Sequence, residues 1–481
     1  MTRPSLLQHL RTLASHSAVY GAADVFTNLV NFLLVPLYTT FLTASDYGVL
    51  ALLILFGTVA KIVFRMGLDA GFFRVHYDLP NEAERRRLAG TVAVFAAGAG
   101  GLLFLGVVLA APALTQVLFR SDPPPSSWVT LVAADVFLGC LAFVPLNLLR
   151  IQGRPGLFSA FSMGRHTFNI ALKVVLVMTG WGVAGVLWSD AIATGLLSLS
   201  LLPVLLRHAS LAFSPALLKE ALGFGLPKVP HGILVQALNL ADRKILDLFV
   251  TRAEVGLYQM GYTFGMGVKF ALSAFEPAWQ PFVYSQVGRP DARETFARVV
   301  TYAGGAFLGV GLAVAVLGRD LLFLMAHPSF HAAGPVIPVV ALAYVLHGAF
   351  LLTSIGIGIE RKARYYPLIT AAAAGANIGA NLLLIPRWGM MGAAWATVVS
   401  YGVMAGLGFA ISRRLYPIPF EAGRLGRLGA AAVVVYALSL LAPRALWPAV
   451  AFKSLILLAF PVLFLAFGLR RGSPGPSAAS R

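Results

Sequence analysis

The stretch "FLTASDYGVL" (residues 41–50) recurs as "FVTRAEVGLY" (residues 249–258), with Phe, Thr, an acid and Gly at a constant offset of 208. Further along the chain, "WGVAGVLW" (181–188) matches "WGMMGAAW" (388–395) at an offset of 207. Any one of these matches is weak by itself. Several matches in the same order at nearly one offset indicate an internal repeat.

The composition around this repeat predicts an all-α polytopic membrane protein. Of 481 residues, 58% are hydrophobic and only 12% are charged, whereas a soluble protein of this length exposes far more charge. The apolar runs are continuous and do not alternate, which excludes an outer-membrane barrel. A window of about 20 residues gives about 14 transmembrane helices.

The repeat offset corresponds to six of these helices, so both copies cross the membrane in the same direction. We therefore expect two pseudo-symmetric six-helix lobes plus two C-terminal helices, with a cavity between the lobes. The expected segments are a cytoplasmic N-terminal segment (1–16), an N-lobe of helices 1–6 (17–205), a cytoplasmic linker (206–221), a C-lobe of helices 7–12 (222–411), helices 13 and 14 (412–469) and a disordered cytoplasmic tail (470–481). Lys and Arg concentrate in the segments assigned to the cytoplasm, which predicts that both termini are cytoplasmic.

Charge and cysteine content exclude several classes of function. The net charge of +18 comes from Lys and Arg scattered through short loops, so the pattern favours a membrane protein over a nucleic-acid-binding one. The single cysteine, Cys140, excludes disulfides and cysteine metal sites. The sequence shows no nucleophile–base set, metal-ligand spacing or phosphate-binding glycine loop. We expect a protein that is not an enzyme, has no cofactor and is not driven directly by ATP.

Three stretches resemble a known family: "NFLLVPLYTTFLTASDYGVLAL" (31–52), "GLDAGFFRVHYD" (67–78) and "RWGMMGAAWATVVSYG" (387–402). They look like the bacterial polysaccharide flippases for O-antigen and exopolysaccharide, within the multidrug/oligosaccharidyl-lipid/polysaccharide (MOP) exporter superfamily. The resemblance covers residues 17 to about 411, and the last two helices only by count. It implies a bacterial inner-membrane transporter that flips a polyprenyl-pyrophosphate-linked oligosaccharide by alternating access.

The stretch "KIVFRMGLDAGFFR" (61–74) places charges inside an apolar span, where each costs about 2.5–3.5 kcal/mol at the bilayer centre. Lys61, Arg65 and Asp69 share one stripe of a helix, and Arg65 can pair with Asp69 across one turn. The repeat partner of Lys61 is Lys269. Two cations facing each other across a cleft would suit a diphosphate, since Lys and Arg both bind phosphate oxygens. The alternative is that the long side chains reach the membrane interface.

Other polar residues inside the predicted spans complete the set of candidates. Arg165 and Lys173 are further cations for the cavity. The polar candidates on helices 1 and 7 are Asp24, Asn28, Asn31, Gln236, Asn239 and Arg243. They could contact sugar hydroxyls, or they could hydrogen-bond between helices. Asp24 could also hold a coupling proton or Na⁺.

Three other functions stay open. A cation-coupled multidrug exporter of the same superfamily would use acids such as Asp24 inside the cavity. A peptidoglycan-precursor flippase would carry a related diphosphate. A membrane glycan polymerase or ligase would generally need a sizeable outer loop, whereas the longest one here, around residues 121–127, has about ten residues. The expected partners are a lipid-linked oligosaccharide, membrane lipids and glycan polymerase machinery, with no nucleic acid.

Overall fold

The computed structural model describes residues 30, 32–120, 122–210, 212–443 and 445–468, and every regular element within these ranges is helical. The predicted all-α class is therefore confirmed. The chain divides into two compact units, one ending at Gln259 and the other beginning at Met260. The lobe boundaries expected from the repeat stay predictions.

The helices of the first unit follow one another with short connections. They are α1 (Val35–Phe41), α2 (Ala44–Arg65), α3 (Leu68–Asp78), α4 (Glu82–Leu118), α5 (Ser126–Ile151), α6 (Pro155–Leu176), α7 (Gly182–His208), α8 (Pro215–Gly225), α9 (Val229–Asp247) and α10 (Arg252–Gly265), the last of which starts in this unit. Helix α5 is central, because it packs against α2, α4, α6 and α7.

The second unit has the same all-helical character. Its helices are α11 (Val268–Gln286), α12 (Ala292–Met325), α13 (Val336–Thr353), α14 (Ile355–Ile359), α15 (Tyr365–Leu415), α16 (Ala422–Ser439), α17 (Leu446–Leu457) and α18 (Ala459–Gly468). Helix α13 packs between α12 and α15, while α16, α17 and α18 pack on α12. Lys453 on α17 forms an ion pair with Asp320 on α12, Nζ to Oδ2 2.6 Å.

Eight helical segments of the described residues are long and apolar enough to span a membrane. Two of them, Gly156–His208 and Tyr365–Leu415, have 53 and 51 residues, whereas one crossing takes about 20. Each is a helical hairpin. In the second, the Ser400 hydroxyl donates to the Ala373 carbonyl at 2.9 Å, so the two halves lie side by side. The count of 14 helices stays a prediction, since residues 1–29 lie outside the described ranges.

The repeat has a local structural counterpart at the start of α2 and α10. Thr43 caps α2 in a capping box with Asp46, because each side chain bonds the other residue's backbone N–H. Thr251 and Glu254 form the same reciprocal bonds at the start of α10. The repeated Thr and acid are therefore the N-terminal signals of two equivalent helices.

The repeated glycines of the same stretches bring α2 and α10 into contact. A Cβ added at Gly48 would overlap the carbonyl oxygen of Arg252, and one at Gly256 would overlap that of Ala44. These four positions are related by the repeat offset, so the crossing is itself pseudo-symmetric. Only glycine allows backbones to approach this closely.

A break separates α2 from α3 directly beside the predicted cations. Met66 and Gly67 have φ angles of 50° and 71°, and this left-handed pair ends α2. Arg65 is the last residue of α2, and Asp69 lies in the first turn of α3. Both charges therefore complement the helix dipoles at their positions.

Candidate functional site

A cavity of about 530 Å³ lies within the first unit, between α2, α5, α6 and α7. Its walls combine Leu, Val and Gly with a polar set. The polar lining residues are Thr58, Lys61, Arg65, Asp135, Ser162, Arg165, His166, Lys173, Asp190 and Thr194. The fold thus brings four of the five predicted cations, from two separate helices, to one water-accessible surface.

Lys61 is exposed to this cavity from a position four residues before the end of α2. No ion pair among the described residues includes it, although it lies within electrostatic range of Arg65, Asp135 and Arg165. A cation on a membrane span normally has a partner or faces water. Lys61 is therefore a cation of the cavity that has no ion-pair partner among the described residues.

Arg65 is neutralised by Asp69 across the helix break. Its Nη1 donates to Oδ1 and Oδ2 of Asp69 at 3.2 and 3.1 Å, as the spacing predicts. The guanidinium carbon also lies 5.7 Å from the centre of the Phe143 ring. Arg65 lines the cavity while this pair holds it in place.

Arg165 belongs to a network from three helices. Its Nε and Nη2 donate to the Thr194 hydroxyl oxygen at 3.1 and 2.8 Å. That hydroxyl donates in turn to Oδ1 of Asp135, which lies 3.8 Å from Arg165 Nη2. We call Arg165, Asp135 and Thr194 the Arg165 group.

Lys173 forms a second network with α7. Its Nζ lies 3.1 Å from Oδ1 of Asp190, and the Asn169 amide donates to the same oxygen at 2.9 Å. We call Lys173, Asp190 and Asn169 the Lys173 group. Asp190 and Thr194 are about 6 Å apart along α7, whereas Arg165 and Lys173 are about 12 Å apart along α6.

Four cationic and two anionic side chains line the cavity, and Asp69 pairs with Arg65 from outside the lining, so the net charge of this set is +1 with His166 neutral. The sequence reasoning missed the two carboxylates, Asp135 and Asp190. The signal that found Lys61, an ionisable residue inside an apolar span, applies to both of them. Their partners are set by tertiary packing, which spacing along one helix does not reveal.

The other predicted residues of the described ranges lie elsewhere. Lys269 is exposed near the start of α11 in the second unit, so its pairing with Lys61 across a cleft stays a prediction. Gln236 is half-buried on α9. Arg243 is only 2% exposed, and its Nη1 pairs with Asp242 Oδ1 at 2.6 Å, with Tyr258 donating to the same carboxylate. The sequence offered Arg243 as a polar candidate for the cavity, but packing of α9 on its neighbours encloses it.

The remaining polar candidates fall outside the described residues. Asp24, Asn28 and Asn31 belong to this set, as does the side chain of Asn239. Their roles stay predictions. Among the described residues, no group of His, Cys, Asp and Glu side chains is arranged to hold a metal ion.

The sequence matches one family model. Residues 38–319 match the family described as "Polysaccharide biosynthesis protein". No curated protein matches the sequence.

Solved structures share the fold. The lipid II flippase MurJ in an inward closed conformation aligns with a TM-score of 0.73 and 14% identity, over 93% of this chain and 99% of that one. An inward-facing multidrug resistance MATE family transporter of the MOP superfamily aligns with a TM-score of 0.58 and 16% identity, over 83% and 94%. The MATE multidrug transporter DinF-BH aligns with a TM-score of 0.55 and 16% identity, over 85% of this chain and 96% of that one. At these identities the likeness is one of fold.

Proposed function

The chain belongs to the polysaccharide biosynthesis protein family, and from this membership we propose that it flips a polyprenyl-pyrophosphate-linked oligosaccharide across the membrane by alternating access. It is a multi-pass membrane protein with the fold of MOP superfamily transporters. The solved structures that share this fold are those of a flippase and of multidrug transporters. The charge of the cavity in the first unit supports this choice of cargo.

The observation that carries the proposal is the net positive charge of that cavity, in which Lys61 has no ion-pair partner among the described residues. A diphosphate that joins a lipid to a sugar carries two negative charges, which the excess of cations over carboxylates around the cavity would attract. Lys offers a compact point charge and Arg a fork for phosphate oxygens. Moving such an anion through the membrane requires fixed cations that replace its water, because an uncompensated charge there is costly.

The same charge balance argues against a cationic drug as cargo. Asp135 and Asp190 are the acids such a drug would need, but each is already held by a cation of the cavity. A peptidoglycan precursor also carries a diphosphate, so it is a competing cargo of the same chemistry. A polymerase or ligase would require a reactive set of side chains, and the cavity lining offers paired charges and neutral polar groups instead.

The remaining features of the proposal follow from the sequence. The protein would reside in the bacterial inner membrane with both termini in the cytoplasm. Its cargo would then be delivered to glycan polymerase machinery on the other side. A proton or Na⁺ gradient would supply the energy, since the sequence contains no motif for nucleotide hydrolysis.

A transport assay with three cargoes tests the proposal. Purified protein in proteoliposomes is offered a polyprenyl-pyrophosphate oligosaccharide, lipid II or a cationic dye. Translocation of the oligosaccharide in preference to the other two is the expected result. Preference for lipid II would reassign the cargo to peptidoglycan synthesis, and transport of the dye alone would overturn the diphosphate proposal.

A further inference from the structure

Each of the two carboxylates in the cavity has two partners of different kinds. Asp135 interacts with the Arg165 guanidinium and accepts a hydrogen bond from the neutral Thr194 hydroxyl. Asp190 interacts with the Lys173 ammonium and accepts a hydrogen bond from the neutral Asn169 amide. Lys61, on a different helix from these cations, forms no ion pair with either carboxylate.

This arrangement allows either cation to move away while its carboxylate keeps one hydrogen-bond donor. When Arg165 turns toward an incoming anion, the Thr194 hydroxyl still satisfies Asp135. When Lys173 turns, the Asn169 amide still satisfies Asp190. A carboxylate inside a membrane span with no remaining donor would be costly, and the neutral donors lower that cost.

Four cations without counter-charges would hold a diphosphate too tightly for transport. A transporter must bind its cargo well enough to load it and weakly enough to let it leave. We propose that Asp135 and Asp190 are release groups, an inference that rests on the proposed function. They compete with the diphosphate for Arg165 and Lys173, and so they set how fast the diphosphate dissociates. Lys61 is then the capture group, because no carboxylate holds its charge in the empty cavity.

The Arg165 group and the Lys173 group also define a path along which an anion can move through the cavity. Their α7 members, Thr194 and Asp190, are about 6 Å apart along that helix, and their cations, eight residues apart on α6, are about 12 Å apart along theirs. A diphosphate held by Lys61 and Arg165 can therefore exchange Arg165 for Lys173 by moving along the cavity, and each carboxylate recovers its cation as the anion leaves. The anion passes between two sites of limited affinity rather than resting in one deep site.

Dissociation rates test this role directly. The full-length protein is held in nanodiscs on a sensor surface, and the probe is farnesyl diphosphate linked to a single N-acetylglucosamine. The variants are Asp135→Asn and Asp190→Asn, which keep the shape of the side chain and remove its charge. Asp78→Asn is the matched control, because Asp78 pairs with Arg74 in an exposed ion pair and does not line the cavity.

We expect both cavity variants to release the probe about tenfold more slowly than the wild type, since each removes one negative charge near a dianion. The control should match the wild type. If the two pairs were merely structural, the variants would release the probe at an unchanged or higher rate, which would overturn the inference. The two carboxylates lie on different helices, so if one variant fails to fold, the other variant is sufficient for the test. If the wild type does not bind the probe at all, the proposed function falls together with this inference.

Discussion

Gly182 and Gly389 adopt the same unusual backbone conformation, with φ 53° and ψ −133° in the first and φ 52° and ψ −131° in the second. Each follows a tryptophan of the repeated Trp–Gly pair, at an offset of 207. This conformation is essentially restricted to glycine. The repeated motif is therefore the turn of the two helical hairpins.

A methyl group at either turn should destabilise the protein. We expect Gly182→Ala and Gly389→Ala each to lower the free energy of unfolding by about 1–3 kcal/mol, because the backbone conformation becomes strained. A Cβ at Gly182 meets open space, so the strain is not steric crowding by neighbours. Unfolding of the purified protein in detergent measures the effect. The control is Gly164→Ala within α6, also in open space, which should leave stability unchanged or raise it slightly, because alanine suits a helix interior better than glycine. A turn variant as stable as this control would contradict the assignment.

The ion pair between Lys453 and Asp320 should fasten α17 to α12. The two side chains are 14% and 10% exposed, so Lys453→Met leaves a nearly buried carboxylate without its cation. The expected loss is about 3–5 kcal/mol, most of which the double variant Asp320→Leu/Lys453→Met should recover. Unfolding temperatures provide the comparison. Arg298→Met removes a pair with Glu294 in which both side chains are largely exposed, and it should change stability by less than about 1 kcal/mol.

Thr194 should position Arg165 for the cargo. Thr194→Val removes the hydroxyl that bonds both Arg165 and Asp135, so we expect slower transport and a stability loss of about 1–3 kcal/mol. Thr194→Ser keeps the hydroxyl and should keep the transport rate. Thr115→Val is the control, because its buried hydroxyl donates to the Ala111 carbonyl of its own helix. Equal transport by the Val and Ser variants at position 194 would rule out a positioning role.

The helical class, the repeat and the cations of α2 and α6 could be predicted from the sequence because each depends on local pattern. Apolar length identifies spans, and i, i+4 spacing identifies the Arg65–Asp69 pair, although the break at Met66 and Gly67 places the two residues on different helices instead of the one predicted. The pairing of Arg165 with Asp135 and the burial of Arg243 depend on how separate helices pack, which no spacing within one helix records. The same reason explains why Lys61 could be identified as a cation inside a span but not as the one that forms no ion pair.

The central claim is that the cavity captures a diphosphate through Lys61. The most direct test compares wild type, Lys61→Ala, Lys61→Arg and the exposed control Lys362→Ala for translocation of a polyprenyl-pyrophosphate oligosaccharide in proteoliposomes. We predict that Lys61→Ala lowers the rate at least about tenfold, as loss of one charge-assisted contact of about 1.5–3 kcal/mol implies. Lys61→Arg should retain most of the rate, and Lys362→Ala should equal the wild type. Wild-type transport by Lys61→Ala, in protein that folds normally, would contradict the account.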